Sequence, residues 1–318
     1  MSNWLYRLLG WDTPNISQDA YGDAVAMSLL RDGNVKKLKQ LFSGIQGDWS
    51  RRYFYSLAMS RSFPSDKLEK WVRAEPESAD AHLVYGARML KLAWAARGYG
   101  KGGEVSEERW QNFYRLLEQT ESMLLRAASL NKHDPTPWVY LIMVAVYRSD
   151  DESLEEKYFN EAIARDRENW HAHINRLTAL SEKYGGSHEE MFEFARRAAE
   201  KSPETSLLRC LILKAHSEYW KYVQYFEDDV EHANAYRLRE DVIEECLQAY
   251  EGALAQCEGG SHDLIFVRIN AAGTFWILSQ QQPLRRELQK LSGQIDDIHW
   301  RWVGTEGELA AARKFALS

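Results

Sequence analysis

The chain has 318 residues, a formal net charge of −7 and 45% hydrophobic residues. That length fits one extended domain or two smaller ones with a true core, and the acidic balance argues against nucleic acid as the main partner. Seven prolines suit long helices. The three cysteines, Cys210, Cys246 and Cys257, make neither a C-x-x-C pair nor a zinc spacing, which fits free thiols in a reducing compartment.

The N-terminal stretch places Trp4, Leu5, Leu8, Leu9 and Trp11 on one helical stripe. It is too short and too polar at its edges for a signal peptide or a membrane span. A helix docking on its own protein is the first reading. An interfacial membrane anchor is the second, supported by a single basic residue, Arg7. Val35, Leu38, Leu41 and Phe42 keep helical spacing, and Gly33, Gly44, Gly47 and, much later, Gly293 read as helix stops. Arg51 and Arg52 sit beside Tyr53, Phe54 and Tyr55, a mixture able to stack on nucleic acid. On a helix those rings spread around the axis and mostly turn inward. Leu83, Ala87, Leu90 and Trp94 form another helical stripe. Gly98 to Gly103 matches G-x-G-x-x-G, but a helix rather than a strand precedes it, so a flexible insertion is expected instead of a nucleotide loop.

From there the chain repeats. Four turns join helix pairs: Arg73–Pro76, His133–Pro135, Asp166–Glu168 and Lys201–Glu204. Pro135 to Glu168 is 33 residues and Glu168 to Pro203 is 35, close to the tetratricopeptide period of about 34. Alanines precede these turns at Ala127–Ala128, Ala162 and Ala198–Ala199, small enough for helices to approach. The runs Gly185–Gly186–Ser187–His188 and Gly259–Gly260–Ser261–His262 read as cap punctuation, and Ser187 with Glu190 forms an S-x-x-E capping box. One long charged helix is expected over roughly 228–256. No sustained period-two alternation is present, so strands are not expected.

The expectation is therefore an all-α protein. Its form is a tetratricopeptide-like α-solenoid of stacked antiparallel helix pairs with irregular terminal caps. Residues 1–75 read as an N-terminal helical cap, 76–215 as the core repeats and 216–318 as a C-terminal helical cap, together one continuous domain.

No chemical motif has its required context. His171 and His173 stand about 200° apart on a helix, the wrong phase for chelating one metal. No G-x-S-x-G elbow or H-E-x-x-H helix occurs. No cofactor or metal is expected.

Ala93–Trp94–Ala95–Ala96–Arg97–Gly98, Asp134–Pro135–Thr136–Pro137–Trp138 and Lys183–Tyr184–Gly185–Gly186–Ser187, with Trp110–Phe113, Trp170–Ala172 and Phe194–Ala195, resemble a bacterial family known as a domain of unknown function. The resemblance spans roughly residues 20–210. It implies a tetratricopeptide-like helical protein, bacterial and cytoplasmic, and brings no activity or catalytic residue. In such stacks the first helices of each pair line a concave face. Trp94, Arg97, Trp138, Trp170, His171 and Asn175 are then the candidate binding residues for a protein or peptide segment. The competing reading is that the tryptophans seal helix pairs.

Three functions follow: a non-enzymatic scaffold or adaptor, an immunity-type or regulatory protein that blocks a toxin or enzyme, and an enzyme with a site built from His171, His188 and acidic neighbours. The repeat pattern favours the first.

Overall fold

The computed structural model describes residues 23–98, 102–148, 153–291, 295, 300 and 308–318. The Trp4–Trp11 segment, Gly293 and residues 99–101 of the glycine-rich loop lie outside them. Among the described residues the chain is all-helical, without strands, and forms two compact units, 1–167 and 168–318.

The first unit contains α1 (Ala24–Asp32), α2 (Val35–Gly44), α3 (Trp49–Ser62), α4 (Ser65–Ala74), α5 (Ala79–Arg97), α6 (Glu107–Leu130), α7 (Thr136–Ala145) and α8 (Leu154–Arg165). Half of these starts are set locally: Asp23, Asn34, Asp48 and Ser78 each accept a hydrogen bond from the backbone N–H three residues on. Gly33 ends α1 in the left-handed region at φ 55°. The stripe Leu83, Ala87, Leu90, Trp94 is buried, as its spacing requires. α5 packs along α6, and a Cβ at Gly86 would meet Leu124 at 2.8 Å, so glycine sets that approach.

Arg52 is the polar centre of this unit and is fully buried. Its Nε and one terminal nitrogen bond Asp134 at 3.0 and 2.7 Å, and the same nitrogen reaches Asp80 at 2.8 Å. Asp134 also accepts the Thr136 backbone N–H at 2.8 Å. One arginine thus ties α3 to the first turn of α5 and to the turn that leads into α7. Burial opposes the charge, but the two carboxylates win and raise the Arg52 pKa. The basic–aromatic run around Arg52 is consequently interior: Phe54 and Tyr55 are buried beside it, and only Arg51 is exposed.

The second unit contains α9 (Trp170–Ala179), α10 (His188–Glu200), α11 (Leu211–Tyr225), α12 (Val230–Tyr236), α13 (Glu240–Gly252), α14 (His262–Ile277), α15 (Gln281–Lys290) and α16 (Leu309–Leu317). α11 is its hub and packs on α9, α10, α12, α13 and α14. A buried pair, Arg268–Glu287 at 2.7 Å, joins α14 to α15, and the Tyr250 hydroxyl on α13 donates to Glu287 at 2.8 Å. Serine caps open α10 and α14: Ser187 accepts from the Glu190 N–H and Ser261 from the Leu264 N–H. In the first of these the Ser187 hydroxyl also donates to the Glu190 carboxylate at 2.9 Å.

Two local expectations need correction. The single helix over 228–256 is broken into α12 and α13 at Arg237–Arg239. No proline or glycine marks the break. It is made by tertiary bonds: Arg237 donates to Ser279 Oγ at 2.9 Å, and the Tyr236 hydroxyl pairs with His216 at 2.6 Å. The small buried residue of α10 is Ala195, fully covered, rather than Ala198 or Ala199, which are half-buried. At the other two turns Ala127, Ala128 and Ala162 are buried as expected.

Candidate functional site

A cleft of about 710 Å³ opens on the second unit between α10, α11, α12 and α13. Its floor is a chain of polar side chains. His216 on α11 is buried, with its Nε2 2.9 Å from Glu245 on α13 and its Nδ1 2.6 Å from the Tyr236 hydroxyl on α12. Arg196 on α10 completes the chain, donating to both Glu245 oxygens at 2.7 and 2.9 Å. Hydrogen bonds from Arg196 and then His216 pull the Glu245 carboxyl down to about 2. It is therefore an anion, and an anion only accepts, so His216 Nε2 carries the proton toward it. Burial raises the Tyr236 hydroxyl far above its usual range, so it stays protonated beside His216 Nδ1.

The walls are aromatic and mixed in charge. Phe192 lies 4.9 Å from the His216 ring, and Tyr219 lies 4.3 Å from Tyr236. Arg196 covers Phe192 at 5.3 Å and Arg239 covers Tyr236 at 5.7 Å, both within cation–π reach. Exposed Glu189, Glu193, Arg197 and Asp241 form the rim.

The residues singled out by sequence divide between the units. In the first, Trp94 is buried against Tyr147 at 4.6 Å and Phe113 at 5.3 Å. Arg97, also buried, lies 5.6 Å over Trp94 and 4.7 Å over Trp110. Trp138 is half-buried between Tyr158, at 5.8 Å, and the Arg165 guanidinium, at 5.0 Å. In the second unit Trp170 is buried, His171 binds Asp263 at 3.0 Å, and Asn175 is half-buried. Trp94 and Arg97 are thus brought together, and each of the others has its own neighbours.

The histidines point to separate partners. His173 bonds the Asn169 carbonyl at 2.8 Å, and burial lowers its pKa. His188 meets Glu182 at 3.2 Å and packs on Tyr219 and Tyr222 at the cleft edge. Among the described residues no three His, Cys, Asp or Glu side chains converge as a metal site, and no helix is long and apolar enough to cross a membrane. His216 was missed by the sequence reading, because its partners lie 20 and 29 positions away on helices whose break has no local signal.

The three family-like motifs have local structural explanations. Gly98 has φ 81°, and a Cβ there would meet Arg109 at 2.7 Å. Asp134 holds Arg52 and the start of α7. In the Lys183–Ser187 run, Gly185 takes φ 95° and any Cβ on Gly186 would overlap the Leu180 carbonyl. No curated protein and no solved structure matches the chain. Residues 48–154, which hold Arg52, Asp80, Trp94, Arg97, Asp134 and Trp138, match the model of a family described as a domain of unknown function (DUF4034).

Proposed function

We propose that the protein is a non-enzymatic scaffold, a tetratricopeptide-like stack of helix pairs that binds a protein or peptide segment, and that the second unit's cleft takes part of that segment. The observation that supports this most is the composition of the cleft. Phe192, Tyr219 and Tyr236 supply apolar faces, while Arg196, Arg239 and the acidic rim supply charges of both signs. Tyrosine and arginine are the residue types that dominate binding energy at protein interfaces. A fixed His216–Glu245–Arg196 floor keeps the walls from collapsing, so little ordering is left for the moment of binding. Of the residues singled out by sequence, half-buried Trp138 and Asn175 would meet a partner. Buried Trp94, Arg97, Trp170 and His171 would shape the surface from behind.

The test is a quantitative pull-down with wild type, Arg239→Ala and Asp241→Ala. Arg239 and Asp241 are exposed and pair with each other, so their loss spares the core. Arg239→Ala is expected to weaken capture about tenfold, or roughly 1.4 kcal/mol. Unchanged capture by both variants would place the interface elsewhere.

A second reading, an enzyme with a histidine–acid site, draws support from the Tyr236–His216–Glu245 chain in a cleft. It replaces His171 by His216 as the working base. Substrate-class screening separates the two: turnover abolished by His216→Gln with partner capture intact would favour the enzyme.

A further inference from the structure

The second unit buries more positive than negative charge at one point, away from the cleft. α11 carries Lys214, Glu218 and Lys221 at i, i+4 and i+7, one stripe of a mostly apolar helix. His216 leaves that helix about 200° around from Lys214. Lys183 reaches the stripe from the turn Glu182–Tyr184. The four side chains, Lys183, Lys214, Glu218 and Lys221, are only 8%, 12%, 5% and 2% exposed. Lys183 donates to Glu218 at 2.6 Å, Lys214 pairs with it at 2.7 Å and Lys221 donates to it at 3.3 Å.

One carboxylate does not balance three lysines. With all three amines protonated, three positive charges less one negative leave a surplus of two. Each ammonium has three donors and a carboxylate offers about four acceptor positions, so roughly five N–H donors exceed what Glu218 can accept. Burying charge without a counter-charge is costly. The titration directions agree: burial, then Lys214, push the Lys221 amine down to about 7. Burial also works to raise Glu218, yet its three lysines hold it well below the usual carboxylate range. The backbone that delivers Lys183 is fixed by the Lys183–Ser187 run, where Gly185 takes the left-handed turn, Gly186 passes the Leu180 carbonyl and Ser187 caps α10.

We propose that Lys183, Lys214 and Lys221, held together by Glu218, are an anion site for a phosphate-type dianion, either inorganic phosphate or the phosphoryl group of a small metabolite. A bound dianion draws a proton onto Lys221, and the surplus of two that results matches its charge, where a carboxylate would meet only half of it. Three ammonium groups from two elements supply donors from several directions, which suits a tetrahedral oxyanion more than a planar one. Lys214, the most exposed of the three lysines, is the side from which the anion is met. The site stands independently of the scaffold reading.

Thermal unfolding of the full chain at constant ionic strength tests it, with sulfate, inorganic phosphate and glycerol phosphate as probes. Wild type is expected to gain roughly 3–6 °C at ten times the dissociation constant. Lys221→Met is expected to lose most of that gain. Glu218→Gln, which frees the lysines of their internal anion, is expected to gain more than wild type. A larger shift with glycerol phosphate assigns the site to a phosphorylated metabolite, and a larger shift with inorganic phosphate assigns it to the free ion. Equal gains in all three proteins would be a general salt effect and would overturn the proposal, as would no gain with any probe. Hydrogen exchange on wild type needs no variant: phosphate should slow exchange in residues 182–187 and 211–225 about tenfold at ten times the dissociation constant. Unchanged exchange there would equally overturn it.

Discussion

Asp134→Ala is the sharpest perturbation of the first unit. It removes two hydrogen bonds to Arg52, at 3.0 and 2.7 Å, and the bond to the Thr136 N–H at 2.8 Å. Arg52 cannot recover solvent, since its side chain is 0% exposed and its second terminal nitrogen already has no hydrogen-bond partner. Asp80 remains at 2.8 Å but is one carboxylate where there were two. Breaking a buried pair by deleting one partner costs about 3–5 kcal/mol, because the remaining charge is stranded. Asp80→Ala should cost less, since Asp80 is 20% exposed against 2% for Asp134 and water can replace part of what it gives. The assay is urea unfolding of the full chain, with hydrogen exchange read in α3, α5 and α7 to assign the loss to this unit. A loss under about 1 kcal/mol for Asp134→Ala, or a larger loss for Asp80→Ala, would refute the view that Arg52 pins these helices from the interior.

Three more outcomes are expected. Glu245 has a folded pKa depressed to about 2 by Arg196 and His216; its contribution is present above the unfolded value of about 4.3 and fades as pH falls toward 2. Glu245→Gln should therefore lower Tm near neutrality and flatten its fall between pH 5 and 2, and parallel Tm–pH curves for variant and wild type would contradict this. Lys221 has a folded pKa lowered to about 7, so folding must shed its proton at intermediate pH. Relative to Lys221→Met, wild type should lose stability as pH drops from about 10 to about 7 and then level off; a Tm difference constant across pH 6–10 would argue against a depressed amine. Gly186→Ala should destabilise by about 1–3 kcal/mol through overlap with the Leu180 carbonyl, measured by denaturant midpoint, and a neutral result would mean the turn relaxes freely.

What was legible in the sequence was local. Helix stripes such as Leu83–Trp94, stops such as Gly33 and caps such as Ser187 are decided within one or two turns of the chain, and the structure places them where the residues indicated. What was illegible depended on distance. Arg52 read as part of a basic–aromatic run able to stack on nucleic acid, but its partners are 28 and 82 residues away. The break between α12 and α13 is enforced by Ser279 and His216 rather than by a breaker residue. The Lys214–Glu218–Lys221 stripe was available as an i, i+4, i+7 pattern inside an apolar helix; the signal that it is buried, Lys183 meeting it from the turn before α10, 35 residues away, was not.

The central claim is that the second unit's cleft is a binding face. A photo-crosslinking residue in place of exposed Glu193 on the cleft rim, irradiated in host lysate, tests it most directly, with the same residue at exposed Tyr114 of α6 as control. The account predicts one discrete adduct of a defined partner from the Glu193 position, weakened by Arg239→Ala, and none of that mass from Tyr114. The same adduct from both positions, or one from Tyr114 alone, would contradict it.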